Sequence, residues 1–130
     1  MSAPNRLLMP VVLAMLAGCA SQPSSINLQK SSQCPIELSS NQQLILTLPS
    51  NPTTGFRWVI QDAAPSVLKS LGPEVYSNPE EAGLVGSAGQ STWRFSVLQP
   101  GTGRLLLTYQ RPWEADVAPE KTFDCEIQTR

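Results

Sequence analysis

Leu44-Ile45-Leu46-Thr47-Leu48-Pro49-Ser50-Asn51-Pro52-Thr53-Thr54-Gly55-Phe56-Arg57-Trp58-Val59-Ile60 decides the fold of this chain. Leu44, Leu46 and Leu48 alternate with Ile45 and Thr47, and Phe56, Trp58 and Ile60 alternate with Arg57 and Val59. A period of two puts one set of side chains on one face of a strand. Between the two strands stands a turn. Pro52 fixes its own φ and biases Asn51 toward extended geometry. Gly55 can take a positive φ where the chain turns back into the strand that starts at Phe56. The expected result is a stiff, protruding turn with Thr53 and Thr54 at its tip, uncharged and with exposed backbone amides.

The same alternation runs outward from this hairpin. Trp93, Phe95 and Val97 alternate with Arg94 and Ser96; Leu105, Leu107 and Tyr109 with Leu106 and Thr108; Phe123, Cys125 and Ile127 close the chain. Turn signals separate the runs at Ser39-Ser40-Asn41, Pro100-Gly101-Thr102-Gly103 and Arg111-Pro112. No segment carries a helical stripe, and Ala63 to Leu71 offers a turn or two at most. Short strands divided by regular turns predict an all-β sandwich. The longest irregular stretch, Ser77 to Gln90, has the length of a functional loop.

At 130 residues the chain has the length of one domain. Its formal charge of −1 excludes the basic footprint of a nucleic-acid binder. It has no His, and so lacks the commonest general base and metal ligand. The N-terminus reads as a signal segment. Arg6 precedes an apolar run, Leu7 to Leu16, about half the roughly 20 residues a bilayer span needs. The run ends in Leu16-Ala17-Gly18-Cys19, which resembles a bacterial lipobox with Cys19 as the lipidated residue; an ordinary secretory signal cut near Ala20 is the alternative. The expected organisation is a signal peptide over 1–18, a Ser/Gln/Asn-rich tether over 19–32 and a folded domain over 33–130. The expected location is the bacterial cell envelope, at the outer membrane or periplasm, with the lipid on Cys19 as the link to the membrane. If Cys19 carries lipid, Cys34 and Cys125 remain as a pair. Alternation points both thiols toward the core, and an oxidising compartment favours a disulfide. Two buried free thiols are the alternative.

Two further loop motifs follow the first along the chain. Gly86-Ser87-Ala88-Gly89 is small throughout and lets another backbone approach closely. Arg111-Pro112-Trp113 is a Pro-stiffened loop that displays two residue types enriched at binding hot spots. Loops on a rigid scaffold are where binding residues concentrate. Trp113 folded back onto its own domain, with Arg111 paired to Glu114, is the plain structural alternative.

Taken together, N-P-T-T-G-F, then G-x-x-G, then R-P-W resembles the chagasin family of cysteine-peptidase inhibitors, from about Cys34 to Gln128. The resemblance implies an immunoglobulin-like β-sandwich with its binding loops clustered at one end. It implies reversible, tight inhibition of papain-like cysteine peptidases by a monomer that is not an enzyme and uses no metal or cofactor. The peptidase-binding residues it implies are Asn51, Pro52, Thr53, Thr54, Gly55 and Phe56, then Gly86, Ser87, Ala88 and Gly89, then Arg111, Pro112 and Trp113. Thr53 and Thr54 fall nearest the enzyme's thiol, the Gly loop lies along the substrate groove, and Trp113 stacks on aromatic enzyme surface. The lipobox and the Cys34/Cys125 pair depart from the simplest family members without touching the loops.

Two other classes compete. One is a non-inhibitory envelope lipoprotein whose loops bind another protein or a wall component, because fold does not fix function. The other is an enzyme: its thiols would lack a His base, and Glu114, Asp116 and Glu120 lack the spacing of a calcium loop and read as a solvated face.

Overall fold

A computed structural model describes residues 24–78 and 89–130. The signal segment, Cys19, and Gly86, Ser87 and Ala88 lie outside the described residues. The described chain forms β1 (Ser25–Leu28), β2 (Ile36–Leu38), β3 (Gln43–Ser50), β4 (Arg57–Ala63), β5 (Leu68–Ser70), β6 (Val75–Ser77), β7 (Gly89–Val97), β8 (Gly101–Gln110) and β9 (Lys121–Thr129). One sheet runs β1-β3-β7-β5, with β6 also paired to β7; the other runs β2-β9-β8-β4. All pairings are antiparallel except β1 with β3 and β2 with β9. This is the sandwich that the alternation predicts.

The inward faces meet in one core. Leu44, Leu46 and Leu48 of β3 and Trp93 and Phe95 of β7 are buried with Leu105, Leu107 and Tyr109 of β8 and with Phe123, Cys125 and Ile127 of β9. Burial of such side chains contributes roughly 1.5–3 kcal/mol each before entropy is set against it. The indole of Trp58 is buried too, and its Nε1–H donates to the Pro49 carbonyl at 2.9 Å, so its polar edge is satisfied.

Four features differ from the sequence expectation. Residues 25–32, expected within the tether, belong to the folded domain. Ser25–Leu28 pairs in parallel with β3, Leu28 is fully buried, and Gln33 Oε1 accepts from the Gln29 and Lys30 amides at 2.8 and 3.0 Å. Ile60, expected inside, is 40 % exposed; it lies on β4, the edge strand of its sheet, just before the β4–β8 register shifts between Ile60 and Asp62. Within Ala63–Leu71 the expected turn is present, closed by Val67 N–H to Ala64 O (3.0 Å), but it leads directly into β5, a strand that was not expected. Ser77, Gly89 and Gln90, expected in the irregular stretch, are strand residues of β6 and β7, and residues 79–88 lie outside the described residues.

Cys34 and Cys125 are joined, with Cα atoms 5.3 Å apart and a sequence separation of 91. The bridge fastens the segment before β2 to the middle of β9. In the chain-entropy view a loop of this length stabilises by about 4–5 kcal/mol.

Candidate functional site

Strand register alone brings the loop bases together. The last residue of β3, Ser50, pairs with the first residue of β7, Gly89. The first residue of β4, Arg57, pairs with the last of β8, Gln110. The Asn51–Phe56 loop therefore crosses from one sheet to the other. It is flanked on one side by the segment that enters β7 and on the other by the loop that begins at Arg111.

The first loop is built as its sequence requires. Pro52–Thr54 forms a single 3-10 turn, with Asn51 before it and Gly55 after it at φ 83°. The Asn51 side-chain oxygen accepts from the Thr53 amide (3.3 Å) and the Thr53 hydroxyl (2.5 Å). The Thr54 hydroxyl donates to the Asn51 carbonyl at 2.8 Å, and the Gly55 amide to the Pro52 carbonyl at 3.0 Å. An Asx-type cap and a left-handed closing residue leave the turn little freedom. Thr53 and Thr54 are exposed, as expected for a tip.

The loop is also clamped from β8. The Tyr109 hydroxyl accepts the Asn51 amide at 2.9 Å and lies 3.4 Å from the Asn51 carbonyl. Phe56 stacks on the Tyr109 ring, with centroids 5.3 Å apart and planes 19° apart. The Arg111 guanidinium lies 4.5 Å above the Phe56 centroid, a cation–π arrangement, and its Nε–H donates to the Thr54 carbonyl at 3.2 Å. Its Nη1 pairs with Glu114 at 3.2 Å.

In the third loop, Glu114 N–H to Arg111 O (3.0 Å) and Val117 N–H to Glu114 O (3.1 Å) make two successive turns. Trp113 rides on the first and is 70 % exposed, yet its ring edge lies against Gly55 so closely that a Cβ there would collide with it. Gly55 is thus required twice: for its φ and for the indole beside it. The plain structural alternative for Arg111-Pro112-Trp113 holds in part: Arg111 is paired to Glu114, and Trp113 touches its own domain while exposing most of its surface.

Not every expected contact residue is accessible. Phe56 is half-buried beneath Arg111, and Gly89 is buried under the Tyr76 ring as a strand residue rather than a loop residue. The site thus brings together Asn51, Pro52, Thr53, Thr54, Gly55 and Phe56 with Arg111, Pro112 and Trp113. Gly86, Ser87 and Ala88 fall outside the described residues, directly before the Gly89 that sits beside Ser50. Tyr109 is the residue that the sequence reading missed as part of the site. Its signal was its place at the inward-facing end of β8, two residues before Arg111.

Known proteins share this architecture. The model of "Chagasin family peptidase inhibitor I42" matches residues 37–127. Amoebiasin-1 of Entamoeba histolytica is 30 % identical over 90 residues, 69 % of this chain and 82 % of that protein. Chagasin of Trypanosoma cruzi is 35 % identical over 71 residues, 52 % of this chain and 64 % of that protein. The crystal structure of the cysteine protease inhibitor EhICP2 of Entamoeba histolytica superposes with a TM-score of 0.71 at 23 % identity, covering 82 % of this chain and 96 % of that one. A second structure, PbICP-C in complex with falcipain-2, gives a TM-score of 0.52 at 17 % identity, covering 84 % and 92 %. At these identities the two structures speak to the fold alone, an immunoglobulin-like sandwich.

Proposed function

This chain belongs to the chagasin family of peptidase inhibitors, and on that premise we propose that it reversibly inhibits papain-like cysteine peptidases by laying its loop end across their active-site cleft. The observation that carries the reading is the lock between the first and third loops: Arg111 on Thr54 and Phe56, and Trp113 on Gly55. A cleft that accepts extended substrate is occluded best by a rigid edge, because a preorganised edge loses little entropy on binding. Thr53 and Thr54 supply the blunt tip at the catalytic thiol. Trp113 supplies apolar area on one flank, and the Gly86–Gly89 segment supplies backbone on the other. No nucleophile, base or metal is needed, which suits a chain without His. EhICP2 is a cysteine protease inhibitor and PbICP-C was solved in complex with falcipain-2, so cysteine peptidases are the class to test first.

The inhibitor acts as a monomer in the cell envelope, held to the membrane by lipid on Cys19. Fatty-acid labelling of the wild-type chain, lost in Cys19→Ser, tests the anchor. Titration of active-site-counted papain with protein beginning at Ala20 tests the activity. Stoichiometric loss of activity with recovery of intact inhibitor supports the reading. A folded protein that leaves papain and other members of its class fully active favours a binding module of the envelope.

A further inference from the structure

Resting on that reading, we propose that Arg111 is a positioning residue: a strut that holds the first loop in its binding shape in the free inhibitor, rather than a contact to the peptidase. The guanidinium has three commitments within its own domain. It donates to the Thr54 carbonyl (3.2 Å), lies over Phe56 (4.5 Å) and pairs with Glu114 (3.2 Å). The Thr54 carbonyl ends the 3-10 turn, where carbonyls lose their partners inside the turn, and Arg111 serves as its cap. At the other end of the same turn, the Tyr109 hydroxyl holds the Asn51 amide. Tyr109, Phe56 and Arg111 therefore form one stack, which rises from β8 and pins the four-residue tip at both ends. Glu114 fixes the far side of the fork, and through the turn at Arg111–Glu114 the same anchor sets where Trp113 lies against Gly55.

The strut needs a planar fork. Lysine carries a compact charge on a flexible stem and cannot stack on Phe56, cap Thr54 and meet Glu114 at once. The sequence motif is thus explained by two different tasks: Arg111 faces inward to shape the wedge, and Trp113 faces outward to bind.

The test compares Arg111→Ala, Arg111→Lys and Glu114→Gln in two measurements. One is amide hydrogen exchange at Thr54 and Gly55 in the free protein, with melting curves to confirm folding. The other is inhibition of papain. Exchange at Gly55 is expected to rise about tenfold or more in Arg111→Ala, the size of one lost charge-assisted hydrogen bond. Inhibition is expected to weaken by a similar factor, Lys to fail to restore either, and Glu114→Gln to weaken inhibition in the same direction. Unchanged exchange in folded Arg111→Ala overturns the proposal. So does restoration of inhibition by Lys, or tighter inhibition by Glu114→Gln, since each makes Arg111 a direct charge contact freed by losing its partner. Failure of the wild-type protein to inhibit papain would count against the inhibitor reading, while the exchange arm would still decide the strut.

Discussion

Truncating Trp113 to alanine separates binding from folding. A tryptophan offers about 150–250 Å² for burial, and this one is 70 % exposed in the free protein. Roughly 170 Å² is therefore open to a partner at the upper end of that range. At about 25 cal/mol per Å², full coverage is worth about 4 kcal/mol. Interfaces seldom cover a side chain completely, and truncating a hot-spot Trp costs at least about 2 kcal/mol. Trp113→Ala is therefore expected to raise the inhibition constant for papain by about 30-fold to about 1,000-fold. The core is untouched, so stability should change by no more than about 0.5 kcal/mol. The assay is tight-binding inhibition of active-site-titrated papain, run beside thermal or urea unfolding of both proteins. An unchanged inhibition constant with the fold intact would refute the placement of Trp113 on the enzyme. A large loss of stability would refute the claim that the indole is mainly an outward-facing group.

Gly55→Ala forces a left-handed φ onto a side-chain-bearing residue, at about 1–2 kcal/mol, and drives a methyl into Trp113; unfolding and papain inhibition should both worsen, and a variant equal to wild type in each would contradict the loop lock. Replacing Cys34 and Cys125 together by Ser should lower unfolding free energy by up to about 4–5 kcal/mol and leave inhibition at 25 °C nearly intact, because the bridge lies between the segment before β2 and β9, away from the loops. Asp124 is held below the usual carboxylate range by its hydrogen bond and ion pair with Arg104 at 2.6–2.8 Å. A depressed carboxyl adds stability above its unfolded value of 3.8 and loses it as pH falls through the folded value. Asp124→Asn should therefore flatten the acid limb of a stability–pH curve below about pH 4. The effect should be small and salt-sensitive, since both partners are exposed; an acid limb identical to wild type would contradict it.

The parts of the fold with strong periodicity were legible in the sequence. Leu44 to Leu48, Trp93 to Val97, Leu105 to Tyr109 and Phe123 to Ile127 alternate because one face of each is core, and the structure buries those faces. The turn at Asn51–Gly55 was legible because Pro and Gly act on the backbone directly. Ser25–Leu28 was not: it places only Leu28 fully inside, and its partner Gln43–Leu46 is distant and parallel, so nothing local marks it. Leu68–Ser70 and Val75–Ser77 are three residues each, too short to show a period. Ile60 was misplaced because alternation does not reveal that β4 lies at a sheet edge, where a side chain can stay open to solvent. Within the site, residue types were readable but their directions were not. Arg111 and Phe56 carry contact-type side chains, and nothing in the sequence marks their packing on each other and on Tyr109.

The most direct test of the three-loop wedge is amide hydrogen exchange across the inhibitor with and without bound papain. Slowed exchange confined to 51–56, 86–89 and 111–113, with the opposite end at Ser39–Gln42 and Leu98–Gly101 unchanged, is the predicted result. Protection at that opposite end, or along the outer face of either sheet with the loops unaffected, would contradict it.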